Sequence, residues 1–292
     1  MIPSQKHLFN IPEEITYLNC AYLSPQLRSV TAAGLNAVAS KEAPWLLTTP
    51  DFFTLTEKTR SLFAELIDAR ADGIAIIPAV SYGISVAALN VKLETNQTVV
   101  VLEDQFPSNV YPWREGVNEK DAKLITVARP QDDDWTAALL DHLDENTAVV
   151  AVAGCHWTDG CIIDLVKLGQ RCREINAALV IDATQSLGAS PFSVSEVQPD
   201  FLIAASYKWL LGPYSLGFMY VDPGYHEGIP LEHNWINRKH SEDFAGLVNY
   251  RDDFQTGARR FDVGERSNGA RMPMACTALR QILDWQVPDT AA

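Results

Sequence analysis

Between Phe52 and Val221 short apolar runs alternate with longer amphipathic stretches. The short runs predict strands at Gly73–Ile77, Thr98–Leu102, Lys123–Val127, Ala148–Ala153, Ala178–Asp182, Phe201–Ala205 and Leu216–Val221. Most are apolar on both faces and rich in Val and Ile, which predicts a central sheet covered on both sides. The amphipathic stretches predict helices over Phe52–Ile67, Ser81–Leu93, Trp135–Leu143 and Leu165–Ile175. Strand-helix alternation of this kind implies an α/β fold with a mainly parallel sheet and right-handed crossovers. No internal repeat is present. After Val221 the pattern lapses. Asp222-Pro223-Gly224 reads as a turn, and Tyr225 to Asn268 is polar and irregular. That is long for a structureless loop, so it is expected to cover a site or a partner subunit. A helix over Met272–Trp285 follows, and Val287 to Ala292 ends the chain.

The 292 residues fit one large domain plus part of another. A formal net charge of −14 argues against nucleic acid as a partner, because no basic surface would track phosphates. The acidic run Asp132-Asp133-Asp134 reads as a solvated loop and helix start. No apolar stretch is long enough to span a bilayer, and the N-terminus lacks a basic segment followed by an apolar core, so no membrane and no signal peptide are expected. The five cysteines are odd in number and form no CxxC pair, which suits a reducing, cytoplasmic compartment. No metal is expected: His156 near Cys155 and Cys161 lacks a matching second pair of ligands.

Candidate chemistry gathers where predicted strands end. The strand closing at Asp182 runs into Ala183-Thr184-Gln185-Ser186, and the next strand runs into Ser206-Tyr207-Lys208-Trp209 and a Gly212-Pro213 turn. A lysine amine can form a Schiff base with an aldehyde, and a carboxylate can hold a pyridinium nitrogen protonated. Together they are the protein's half of pyridoxal 5'-phosphate chemistry. Three other strand ends add to the pair. Pro78-Ala79-Val80-Ser81-Tyr82-Gly83 leads into a helix whose N-terminus suits a phosphate, although Ser81 could equally cap that helix. Phe106, in Gln105-Phe106-Pro107-Ser108, could stack on a flat ring or fill a core. His156 and Trp157 could contact substrate or the cofactor ring, and a structural role for His156 is as reasonable.

The block Asp182-Ala183-Thr184-Gln185-Ser186-Leu187-Gly188, with Ser206 to Pro213 and Leu216 to Val221, resembles the class V aminotransferase family. That family has the type I pyridoxal phosphate fold and includes cysteine desulfurases, kynureninases and isopenicillin N epimerase-like proteins. Tyr17 to Pro25 is similar to the family's N-terminal segment, and the likeness extends to about Asn268. The resemblance implies pyridoxal 5'-phosphate as cofactor, with Lys208 as its Schiff-base lysine and Asp182 as the acid on the ring nitrogen, these two being the catalytic residues. It implies Gln185 on the ring hydroxyl, and Ser81, Tyr82 and Gly83 as the phosphate turn. It implies Phe106 on the ring face and the Tyr207 hydroxyl reaching phosphate. Phe106 and Tyr207 look more like kynureninase and epimerase-like members than desulfurases, which usually carry His at the first position.

What the resemblance implies is therefore a type I fold with a mainly parallel seven-stranded sheet and an incomplete small domain. Residues 1–50 would form an N-terminal segment, 51–235 the large cofactor-binding domain, and 236–292 an interface loop and the start of the small domain. The implied activity is amino transfer, or related epimerase chemistry, at the Cα of a small amino-acid substrate. A C–S or C–C lyase, or a non-catalytic binding homologue, is the alternative. A homodimer is implied. Cys276 lies in no desulfurase loop motif. Arg259, Arg260, Arg266 and Arg271 are the candidates to meet a substrate carboxylate or a neighbour's phosphate.

Overall fold

The computed structural model describes residues 2–287; residues 288–292, the last part of the expected C-terminal portion, lie outside the described residues. The elements run α1 (Arg28–Ser40), α2 (Thr54–Leu66), β1 (Ile74–Ile77), α3 (Val80–Asn90), β2 (Thr98–Leu102), α4 (Tyr111–Lys120), β3 (Lys123–Val127), α5 (Trp135–Leu140) and β4 (Thr147–Ala153). Then come α6 (Leu165–Ile175), β5 (Ala178–Asp182), α7 (Val194–Val197), β6 (Phe201–Ala205), β7 (Gly217–Val221) and α8 (Arg271–Trp285).

The strands form one seven-stranded sheet in the order β1-β7-β6-β5-β4-β2-β3. All neighbouring pairs are parallel except those of β7, which runs antiparallel to both β1 and β6. Six strands therefore point one way, and their C-terminal ends share one rim. In-register pairing sets Asp182 beside Ile203 and Ala153 beside Asp182.

Alternate residues of each strand feed opposite cores, as the two-residue side-chain period requires. Ile76, Leu102, Val152, Ile181, Leu202 and Phe218 pack against α2, α5, α6 and α8. Ile77, Val101, Ala151, Val180, Ile203 and Met219 pack against α3 and α4. Phe63 on α2 stacks on Phe218 at 4.4 Å, a contact worth about 0.5–1.5 kcal/mol beyond the area it buries. The caps match their chemistry. Asp134 accepts the Ala137 N–H to start α5, and Asp164 accepts the Lys167 N–H to start α6. Asp121 and Asn176 end α4 and α6 in the left-handed region.

Three departures from the sequence pattern have local causes. The expected helix from Phe52 is interrupted: Asp51 accepts from the Thr48 backbone and hydroxyl, fixing a 3-10 turn over Thr49–Phe52, and α2 starts at Thr54. Helix α4 carries Pro112 and Gly116, but the proline sits in the first turn, where no N–H is needed. Helix α1 buries only Val30 and Gly34, too narrow a stripe to mark it. The polar stretch after Val221 covers the open edge of β1: the Val263 N–H donates to Ile76 O and the Ile76 N–H to Asp262 Oδ1. Arg60 clamps Asp262 from α2 through bonds of 3.0 and 2.7 Å, and Arg266 pairs with the same carboxylate at 3.1 Å.

Candidate functional site

The shared rim holds a cavity of about 320 Å³. Its walls come from the ends of five strands: Pro78 to Ser81 after β1, Gln105 and Phe106 after β2, Ala153 and Cys155 to Trp157 at β4, Asp182, Thr184 and Gln185 at β5, and Tyr207 and Lys208 after β6. Tyr214 and Ser215, which lead into β7, close the remaining side. Ligands settle beyond the carboxyl ends of parallel strands for this geometric reason: the loops diverge there and leave space.

Lys208 is 8% exposed, and its amine makes no hydrogen bond or ion pair among the described residues. Its Nζ lies 5.8 Å from the Phe106 ring centre and 5.9 Å from that of Tyr207. Burial pulls its pKa down, and Asp182 only partly opposes this. Asp182 sits inside the same cavity, and its carboxylate accepts the Thr184 N–H at 3.1 Å. Burial pushes its pKa up, against the Thr184 hydrogen bond and the charge of Lys208. The loop carrying Lys208 is tightly tied: Ser206 O accepts from Gly212 N, Ser206 N donates to Leu216 O, and Leu211 N donates to Lys208 O.

Of the remaining site candidates, Ser81, Phe106, His156, Trp157, Gln185 and Tyr207 line this cavity, while Tyr82 and Gly83 do not. The Tyr82 hydroxyl is buried without a partner, and burial pushes its pKa up. Gly83 faces the sheet. A Cβ there would come within 2.9 Å of Ile203, so glycine lets α3 settle against β6. His156 is buried, with Nε2 at 3.0 Å from Glu103 O and Nδ1 at 2.9 Å from the Thr158 hydroxyl. Its ring stacks on Trp135 at 4.9 Å. Both nitrogens are thus taken by the protein, and the cavity meets the ring rather than a free donor. Gln185 is also engaged: Nε2 donates to Ala21 O, and Oε1 accepts from Trp209. The arginines have protein partners as well. Arg259 holds Glu57, Arg260 holds Glu227 and Gly228 O, and Arg266 holds Asp262. Arg271 alone reaches the rim, donating to Ser215 O at 3.3 Å.

Thr184, Gln105, Tyr214 and Ser215 also line the cavity and are not among the candidates that the sequence marks. Thr184 had a signal, because it lies within the Asp182 block; its hydroxyl accepts the Ala205 N–H and ties β5 to β6. The others arrive through loop geometry, with Ser215 at φ +60°.

This set of groups fits pyridoxal phosphate. The Lys208 amine, free of hydrogen bonds and facing the cavity, could meet an aldehyde, and the buried Asp182 carboxyl a ring nitrogen. The exposed Phe106 ring offers a flat face. The first N–H groups of α3, beside Ser81, lack intrahelical acceptors and suit a phosphate.

Comparison with known proteins agrees with this geometry. The model of the aminotransferase class-V family matches residues 48–233. The uncharacterized aminotransferase YcbU of Bacillus subtilis is 28% identical over 212 residues, covering 72% of this chain and 54% of that protein. A kynureninase of Burkholderia mallei is 25% identical over 244 residues, covering 79% and 57%. The chain spans about half the length of the curated relatives it matches. Among solved structures, a C-DES mutant with glycine covalently linked to its pyridoxal phosphate cofactor superimposes with a TM-score of 0.83 at 17% identity, over 96% of this chain and 74% of that one. The apo cysteine desulfurase of Thermococcus onnurineus NA1 gives 0.81 at 18% identity, over 97% and 71%. These two likenesses establish the fold.

Proposed function

This chain belongs to the class V aminotransferase family, and from that premise we propose that it is a pyridoxal phosphate-dependent enzyme acting at the Cα of an amino acid, by amino transfer or related epimerase chemistry. The observation that carries this reading is the pairing, in one cavity, of the Lys208 amine, which makes no hydrogen bond or ion pair among the described residues, with a buried Asp182 carboxyl.

Pyridoxal phosphate, when bound, supplies an electron sink for the charge left as a bond at Cα breaks. The residues would divide the remaining work. Lys208 is the amine for the cofactor aldehyde, and its lowered pKa enlarges the neutral fraction that can attack a carbonyl. Once released, its Nζ would take the proton from Cα and return it. Asp182 would face the ring nitrogen and hold a proton there, and a cationic partner would favour its ionised form against the burial that now raises its pKa. Ser81 and the start of α3 would hold the phosphate, with the Tyr207 hydroxyl on the same group. Phe106 would lie on the ring face, and Gln185 would reach the ring hydroxyl with the N–H that Ala21 does not use. Trp157 would flank the substrate.

The test is spectroscopic. Protein incubated with pyridoxal phosphate should absorb in the visible, and borohydride should fix the label on Lys208. Absence of both absorbance and label would refute the reading. The curated relatives include desulfurases and kynureninases, so a C–S or C–C lyase is the second reading. Exchange of the amino group with an added keto acid would exclude it. We place the protein in the cytoplasm, where its five unpaired thiols would remain reduced. We further propose a homodimer, in which the exposed Leu18, Trp45 and Leu46 are covered by a second copy. Sedimentation as a monomer at micromolar concentration would exclude that assembly. Among the described residues, no helix is long and apolar enough to cross a membrane.

A further inference from the structure

The cavity opens outward into a wider vestibule lined by Asn19, Ala21, Tyr22 and Leu23, and the two spaces share Phe106, Trp157, Gln185, Tyr207, Lys208 and Tyr214. The vestibule wall is dominated by aromatic rings. Phe106 meets Trp157 edge to face at 5.6 Å on one side, and Tyr207 meets Tyr214 at 4.6 Å on the other. The Lys208 amine is nearly equidistant from the inner members of the two pairs. Tyr22, Tyr214, Trp157 and Phe106 are 72%, 66%, 47% and 42% exposed, an apolar concentration at one mouth that marks a binding surface.

This wall is held in place before any ligand arrives. The Trp157 indole N–H donates to Asp104 O at 2.6 Å. The segment bearing Tyr22 is pinned by Gln185 Nε2 on Ala21 O and by the Tyr17 hydroxyl on Leu23 O. The Trp157 ring and the backbone that carries Tyr22, fixed in this way, lose little freedom on binding. Charge points the same way. Among the described residues, no arginine, and no lysine but Lys208, lines either space. A carboxylate on a substrate side chain would therefore find no counter-charge but Lys208 in these walls, on a chain whose net charge is already −14.

Resting on the function proposed above, we infer that the side-chain subsite is this aromatic vestibule, and that the enzyme selects amino acids with an aromatic side chain over small or acidic ones. A flat ring leaving Cα beside Lys208 enters between the two pairs and packs against Trp157 and Tyr214, whose neighbours Phe106 and Tyr207 serve the cofactor. The α-carboxylate and α-amine are common to all candidate substrates, so their contacts cancel from the comparison.

The experiment is an equilibrium titration of the cofactor-loaded protein with L-phenylalanine, L-alanine and L-aspartate, following the shift in visible absorbance to obtain dissociation constants without turnover. L-Phenylalanine should bind about tenfold tighter than either competitor, or better, which is what partial burial of one ring provides. Trp157→Ala and Tyr214→Ala should each weaken L-phenylalanine binding more than L-alanine binding and so reduce that preference, and Trp157→Phe should retain it. These side chains are largely exposed, so the variants should fold, and an unchanged melting temperature checks that. Equal or tighter binding of L-aspartate or L-alanine, or a response to none of the three, would overturn the inference while leaving the cofactor reading intact. Failure to form any visible absorbance with pyridoxal phosphate would overturn both.

Discussion

Asp182 and Lys208 stand at the ends of neighbouring parallel strands, and burial drives their pKa values in opposite directions, the carboxyl up and the ammonium down. Each group is drawn toward its neutral form. For Lys208 that is the form in which an amine adds to a carbonyl or accepts a proton. Replacing it with alanine should remove the borohydride-fixed label and lower turnover by about 10²–10⁴-fold. Lys208→Arg should lose both as well, because a guanidinium stays protonated. Near-normal turnover by either variant would sink the assignment.

Asp182→Asn separates stability from function. A carboxyl with a raised pKa retains a proton in the folded protein that the unfolded chain releases, so its contribution to stability falls as pH climbs above the ordinary carboxylate range. Asparagine carries no such dependence. The cofactor-free variant should melt higher than the parent at pH 7, by about 2–4 °C per kcal/mol recovered. The difference should close below about pH 4, where the parent's carboxyl is protonated in both states. Cofactor-dependent turnover should fall. Calorimetry across pH checks the first part, and a variant that melts lower at neutral pH would contradict it.

Asp262 binds two buried guanidinium groups, those of Arg60 and Arg266, and also accepts the Ile76 N–H at the edge of β1. Asp262→Ala leaves both cations without their shared partner and should cost about 3–5 kcal/mol, read from urea unfolding. A loss under about 1 kcal/mol would mean the cluster relaxes into water.

The thiols offer a readout of occupancy. Cys155 lines the cavity, whereas Cys172 lies on the buried face of α6 with its thiol pushed up to about 12 by burial. Alkylation of Cys155, followed by mass spectrometry, should slow about 100-fold at a pyridoxal phosphate concentration of about 100 Kd. Cys172 should stay unmodified until the protein unfolds. Cofactor-independent labelling of Cys155 would place the ligand elsewhere.

Most strands were legible because parallel strands buried on both faces leave continuous apolar runs: Thr98–Leu102, Ala178–Asp182 and Phe201–Ala205 match their expected bounds, as does the half-exposed edge strand Lys123–Val127. The loop chemistry at their ends, Asp182 and Lys208 above all, could be read for the same reason. Tyr214 and Ser215 could not be read, since they reach the cavity through non-glycine turns, with Leu211 at φ +53° and Ser215 at φ +60°. Nor could the arginines. In the sequence Arg259 and Arg266 look like free cations, but Glu57, far away along the chain, holds the first, and Asp262, four residues away, holds the second while being clamped by the distant Arg60. Long-range charge pairing leaves no local pattern.

Strand β7 lies between β1 and β6, antiparallel to both. The turn after β1 and the lysine after β6 are distant in sequence, and they become neighbours only when this last strand slots between their elements. Such a topology concentrates contacts at long sequence separation, which slows folding. It also makes β7 the keystone of assembly. A nascent chain that has made every other strand still lacks the wall that β1 and the approach to β7 supply, so the cavity should become complete in one late step, together with closure of the sheet.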